Sequence, residues 1–184
     1  MESTILGLRA LAFFTLLTGL AYPFLVLGIA QALFPHQANG SRIVNQDRFI
    51  GSELIGQPMA GYQYFKLRPS ATGPTEYNAV ASSGSNLGPL NPELRKSVQE
   101  RQSTLGPNAP IDLITASASG LDPHISPAAA EFQAPRVAQV RGVPLEQVRS
   151  LIAKHSEGRQ WGIFGEARVN VLLLNLDLDR TFRK

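Results

Sequence analysis

The sequence predicts an α/β domain of mixed α+β character behind one N-terminal transmembrane helix, and three observations carry that prediction. No charged residue occurs between Ala10 and Phe34, a run of 25 positions. Helix-start signatures recur at Asn91-Pro92-Glu93 and Ser126-Pro127-Ala128, and short apolar segments punctuated by Gly and Pro fill residues 51–127. A chain of 184 residues holds one ordinary domain beside such a span and rules out two large ones. The expected division is a short flank at 1–9, the transmembrane helix at 10–34 and a soluble α/β domain at 35–184. Of 17 Lys plus Arg and 14 Asp plus Glu, only Arg9 and Glu2 precede the run, which leaves 16 basic and 13 acidic side chains beyond it. That small surplus is scattered from Arg42 to Lys184 rather than gathered into a stripe, which argues against a nucleic-acid partner. The absence of Cys excludes disulfides, thiolate zinc sites and cysteine nucleophiles.

The span comes first. At 1.5 Å rise per residue, about 20 helical residues cross the ~30 Å hydrocarbon layer. The apolar core of a cleaved signal peptide runs only about 7–15 residues, so the segment is expected to stay as an anchor despite the cleavage-like Ala30-Gln31-Ala32. Pro23 lacks an N–H and should kink the helix, freeing a carbonyl for neighbouring helices or the Thr15 and Thr18 hydroxyls to satisfy. Ala21, Gly28 and Ala32 make a stripe of small residues on which a partner helix could pack; the competing reading is an anchor that faces membrane lipid on all sides. Arg9 on one flank against Arg42 and Arg48 on the other leaves the orientation open, because a domain this long escapes the charge rule.

In the domain, Tyr62-Gln63-Tyr64-Phe65 and Ile111-Asp112-Leu113-Ile114 read as short strands. Asn91 caps a polar helix that Gly106-Pro107 ends, and Ser126 caps a second that Pro135 should kink or split before Gly142 ends it. A third helix follows Pro144, with Leu145, Val148, Leu151 and Ile152 on one face and Glu146, Arg149 and Lys154 in water. The tail 172–178 alternates like a strand, although Val171, Leu174 and Leu178 would also align on a helix; the alternation favours the strand.

No catalytic or metal site can be assembled from these residues. Ser82, Ser83, Ser85, Ser117 and Ser119 are abundant, but Gly84-Ser85-Asn86-Leu87-Gly88 lacks the G-x-S-x-G order of a nucleophile elbow. Of the histidines, His36 sits at the membrane edge, His155 at the exposed end of a helix, and His124 in the polar segment Asp122-Pro123-His124. Asp122 and His124 supply two potential metal ligands and nothing supplies the rest, so turn formation is the expected role. The loop 81–88 could offer backbone amides to an anion, yet the phosphate-binding G-x-x-x-x-G-K-[ST] order is absent. Gln133 is the speculative nucleotide contact, through its amide on a base edge, against a surface-helix role that is preferred. A stand-alone membrane-anchored hydrolase or small-ligand-binding domain is the functional alternative.

Five blocks in order carry a family resemblance: Gly51 to Gln57, Tyr64 to Ala71, Tyr77 to Pro92 (with Ser83-Gly84-Ser85-Asn86), Asp112 to Ala130 (with Asp122-Pro123-His124), and Arg136 to Ala138. Behind a single span they resemble the KdpC family, the C subunit of the Kdp-type potassium-transporting P-type ATPase, over nearly the whole chain. The resemblance implies a non-catalytic accessory subunit, in the cell inner membrane, whose domain is extracytoplasmic. It implies three partners: a channel-like potassium-binding subunit, a P-type ATP-hydrolysing subunit and a very small membrane peptide. It also implies a catalytic-chaperone effect that raises the ATP affinity of the pump subunit. Because ATP is cytoplasmic and the domain is not, that effect is expected to act through assembly or conformational state, with no cofactor of the chain's own and ATP engaged only through the complex.

Overall fold

The computed structural model describes residues 2–45 and 48–182, and the chain divides into two compact units, Met1–Ser52 and Glu53–Lys184. The first unit opens with α1 (Glu2–Leu16), a π-turn at Leu17–Ala21 and α2 (Tyr22–Leu33). Together they form one 32-residue apolar helix with a mean hydropathy of 2.0 over its best window, long enough to cross a membrane, and none of that window is buried. Pro23, in the first turn of α2, explains the π-turn. Its ring has no N–H for a carbonyl four residues back, and the chain absorbs the misfit just upstream, where the Tyr22 N–H reaches the Leu17 carbonyl five residues back. The Thr18 hydroxyl donates to the Phe14 carbonyl at 2.7 Å, one turn earlier than the position Pro23 vacates. After the one-turn helix α3 (Pro35–Ala38), β1 (Arg42–Asn45) and β2 (Arg48–Ser52) pair antiparallel, with a bulge between Ile43 and Val44.

The second unit is mixed α/β. It contains α4 (Pro92–Leu105), α5 (Ile111–Ile114), β3 (His124–Ile125), α6 (Pro127–Arg141), α7 (Leu145–Lys154), β4 (Ser156–Glu157), β5 (Arg168–Asn170) and α8 (Val171–Thr181). The strands form a small antiparallel sheet in the order β3-β5-β4. The two predicted caps are present: Asn91 Oδ1 accepts from the Glu93 N–H and Ser126 Oγ from the Ala129 N–H. Gly106 and Gly142 end their helices at φ 101° and 66°. In α7, Val148, Leu151 and Ile152 are buried and Glu146, Arg149 and Lys154 are exposed, as the periodicity predicts. The core joins Phe65 to Val137 of α6, Val148 of α7, Val169 of β5, and Leu174 and Leu178 of α8.

Four expectations are corrected. The tail is helix α8, not a strand: Asn170 Oδ1 caps it by accepting from the Leu173 N–H, and Val171, Leu174 and Leu178 are the buried helical face. Residues 111–114 form a single helical turn after Pro110; the Asp112 carboxylate accepts from the Ser126 N–H at 2.7 Å, which ties the turn to the start of α6. Pro135 does not split α6, which runs unbroken through it. Residues 62–65 belong to no sheet, because side chains take the place of a neighbouring strand.

Candidate functional site

That segment, residues 62–69, opens on a turn at Tyr62–Gln63 and runs on as a strap without regular secondary structure. The Gln133 amide accepts from the Lys66 N–H at 2.8 Å and donates to the Lys66 carbonyl at 3.1 Å. Asn175 repeats the arrangement one residue earlier, accepting from the Phe65 N–H at 2.9 Å and donating to its carbonyl at 3.0 Å. Arg136 donates to the carbonyls of Tyr62 and Tyr64 and to Gln133 Oε1, while Arg141 donates to the Gln63 carbonyl. Each primary amide thus imitates a strand, offering one donor and one acceptor to one residue's backbone. Gln133 is 5% exposed, so the surface-helix expectation is corrected: its amide faces the strap. Arg141 also pairs with Asp179 at 2.7 Å and lies over the Tyr64 ring, whose hydroxyl donates to Asp179 at 2.9 Å. Burial, and then that carboxylate, raise the Tyr64 pKa. Burial, with Arg136 nearby, lowers that of Lys66.

At the far end of the strap, Arg68 gathers three loops. Its guanidinium donates to Asp122 Oδ2 at 3.2 Å and to the Ala116 carbonyl at 3.4 Å. Asp122 Oδ1 accepts from the His124 N–H at 3.0 Å. Burial pushes the Asp122 carboxyl upward, but the nearby His124 ring and the His124 N–H hydrogen bond, with the Arg68 charge, outweigh it and hold the pKa below its ordinary value. Tyr77 donates to the Arg68 carbonyl at 2.6 Å, and burial raises its hydroxyl pKa strongly. The Pro123 carbonyl accepts from the Val171 N–H. Arg68 separates two open depressions. One, of about 500 Å³, is lined by Leu54, Ile55, Ser117 and Leu121; the other, of about 420 Å³, by Asp112, His124, Glu166 and Arg168. Two buried atoms here, Arg68 Nε and Ser117 Oγ, have no hydrogen-bond partner among the described residues.

The loop with Ser83, Gly84, Ser85 and Asn86 lies against residues 117–120 through its backbone. A Cβ on Gly84 would stand 2.7 Å from the Ala118 carbonyl oxygen, and one on Gly120, at φ 68°, would stand 2.7 Å from the Ser83 carbonyl oxygen. Ser82 Oγ adds a bond to the Ser119 carbonyl at 2.9 Å. Ser83, Ser85 and Asn86 are exposed, with Asn86 at φ 52°. The two motif loops therefore meet through glycines and carbonyls, while the Asp122 carboxylate turns to Arg68 and its own turn. Gln133 belongs to the strap cluster. Ala21, Gly28 and Ala32 lie on the exposed surface of the span unit, with open space around Gly28. His155 is corrected: it is half-buried and bonded to Asp177 at 2.9 Å. Among the described residues no group of three or more His, Asp or Glu converges as metal ligands would. The residues missed by sequence reasoning are Arg68, Asn175 and Arg141. Arg68, beside Pro69 in one of the five blocks, carried a local hint; the other two partner the strap from far along the chain.

The family model described as KdpC, K+-transporting ATPase c chain, matches residues 4–180. A potassium-transporting ATPase KdpC subunit of Polaromonas naphthalenivorans is 58% identical over 172 residues, covering 90% of this chain and 88% of that protein. A KdpC subunit of Methylococcus capsulatus is 55% identical over 180 residues, covering 94% and 95%. One of Herpetosiphon aurantiacus is 54% identical over 181 residues, covering 95% and 94%.

Proposed function

The chain belongs to the KdpC family, the c chain of the K+-transporting ATPase, and from that premise we propose that it serves the pump as a non-catalytic accessory subunit that stabilises assembly. The carrying observation is where the polar side chains of the family blocks, and of Gln133 between the last two, are spent. Gln133 holds the strap, and Asp122 is engaged by Arg68 and the His124 N–H, so these groups shape a surface rather than present a nucleophile or ligand set. The partners in this reading are a potassium-binding channel-like subunit, a P-type ATP-hydrolysing subunit and a small membrane peptide. The span holds the chain in the inner membrane beside them, with the domain on the extracytoplasmic side. An effect on the ATP affinity of the pump is then a coupling transmitted through assembly, since the Gln133 amide is committed to the Lys66 backbone.

Co-purification from potassium-limited cells tests the reading. The chain should bring polytopic partners with it, and Gly28→Leu should reduce that recovery several-fold by obstructing helix approach. Recovery of the wild-type chain as a lone monomer would sink the proposal. Orientation is read separately with Ser85→Cys, an exposed position: a membrane-impermeant thiol reagent should label it in intact cells, and labelling only after lysis places the domain inside.

A further inference from the structure

We propose that the tip of the β4–β5 hairpin, Trp161 to Phe164, lies in the lipid–water interface of the membrane that holds the span. Trp161, Ile163 and Phe164 are 89%, 72% and 59% exposed. They project from an ordered turn: Gln160 and Phe164 form an antiparallel bridge, with the Gln160 N–H on the Phe164 carbonyl at 2.8 Å and the Phe164 N–H returning at 3.0 Å. Trp161 and Phe164 meet edge-to-face at 6.0 Å. At the base of the hairpin Val169 is fully buried, so the exposed tip stands on a fixed stem.

Size and charge choose the occupant. A stable protein interface buries about 800 Å² on each partner, and two aromatic rings of about 150–250 Å² each with one isoleucine fall short of that. A convex tip of this size suits the headgroup layer, where tryptophan is enriched because its ring is apolar and its N–H finds a polar partner. The flanking charges are paired across the hairpin, Arg159 with Glu166 at 2.7 Å and Arg168 with Glu157 at 2.9 Å, so the tip presents no net charge that would call for an oppositely charged protein surface or for anionic lipid. Residues 34–52 join the span to Glu53, a reach of at most about 65 Å, which tethers the domain to the membrane that holds the span.

The inference rests on the span being embedded, so the test uses the full chain reconstituted alone in phosphatidylcholine vesicles, after flotation has shown that the chain is held there. Trp161 is the sole tryptophan, which makes its fluorescence specific to the tip. Dibrominated phosphatidylcholine should quench the emission several-fold relative to the unbrominated lipid, and acrylamide should quench it weakly. Ile163→Asp with Phe164→Asp should reverse both results with no change in flotation. Emission at the aqueous position, open to acrylamide and indifferent to bromolipid, overturns the proposal. So does a fluorophore on Ile163→Cys that gains protection only when the other pump subunits are added, since that result assigns the tip to protein.

Discussion

The strap at 62–69 and the motif loop at 82–88 are both irregular and both overlap the blocks that mark the family, yet they are held in opposite ways. The strap loses its water at its centre: Phe65 is 1% exposed, and its backbone is received by the amide of Asn175, itself 1% exposed. The loop keeps its water. It is flanked by Val80 at 97% and Leu90 at 96% exposure, and is pressed onto its neighbour at Gly84. Absence of secondary structure therefore says nothing about rigidity; what decides it is where the backbone donors and acceptors go.

The comparison can be broken most forcefully at Asn175. Asn175→Ala leaves the Phe65 N–H and carbonyl buried without partners, each orphaned group costing about 1–3 kcal/mol. The expected loss is about 3 kcal/mol in denaturant unfolding, and a loss under about 1 kcal/mol would mean that the strap does not depend on its side-chain partners. Gly84 against Gly88 sharpens the loop side. Gly84→Ala drives a Cβ into the Ala118 carbonyl and should cost about 1–3 kcal/mol, whereas Gly88→Ala enters open space and should change stability by less than about 0.5 kcal/mol. Equal effects would refute the view that the loop is pinned at one point. The smallest effect lies at Asp122, the ion-pair partner of the strap's Arg68. Its carboxyl is held below the ordinary value of 3.8, so its contribution is fully present above that pH and is lost as pH falls through the lower folded value. Asp122→Asn should flatten the acid limb of the stability profile below about pH 4, by about 1 kcal/mol or less for a partly exposed pair. Asp177, lowered by the Lys154 and then the His155 hydrogen bond, adds a second carboxyl of the same sign.

Signals confined to a few neighbouring residues were legible in the sequence. The caps at Asn91 and Ser126, the stop at Gly142 and the buried face of α7 each depend on contacts within one or two helical turns. The long apolar helix was legible because its length and composition are read directly from the sequence. The strap was not, since Asn175 and Gln133 reach it from 110 and 67 positions away and a glutamine inside a polar-looking helix gives no sign that it faces inward. The tail failed for another reason: a leucine-rich run satisfies a period of two and a period of 3.6 together, and the decision fell to the cap at Asn170. The Arg68–Asp122 pair lay between these extremes, both residues standing in marked blocks with no local rule to join them.

The π-turn at Leu17–Ala21 carries a consequence for the span as a rotor. Such a turn takes up one extra residue without the usual advance, so everything after it is rotated by about 100° and set back by about 1.5 Å relative to an uninterrupted helix. Gly7, Phe14 and Gly28, a single meridian when counted by sevens, are thus divided between two azimuths, so a surface that follows Gly7 and Phe14 along one line does not meet Gly28 and Ala32.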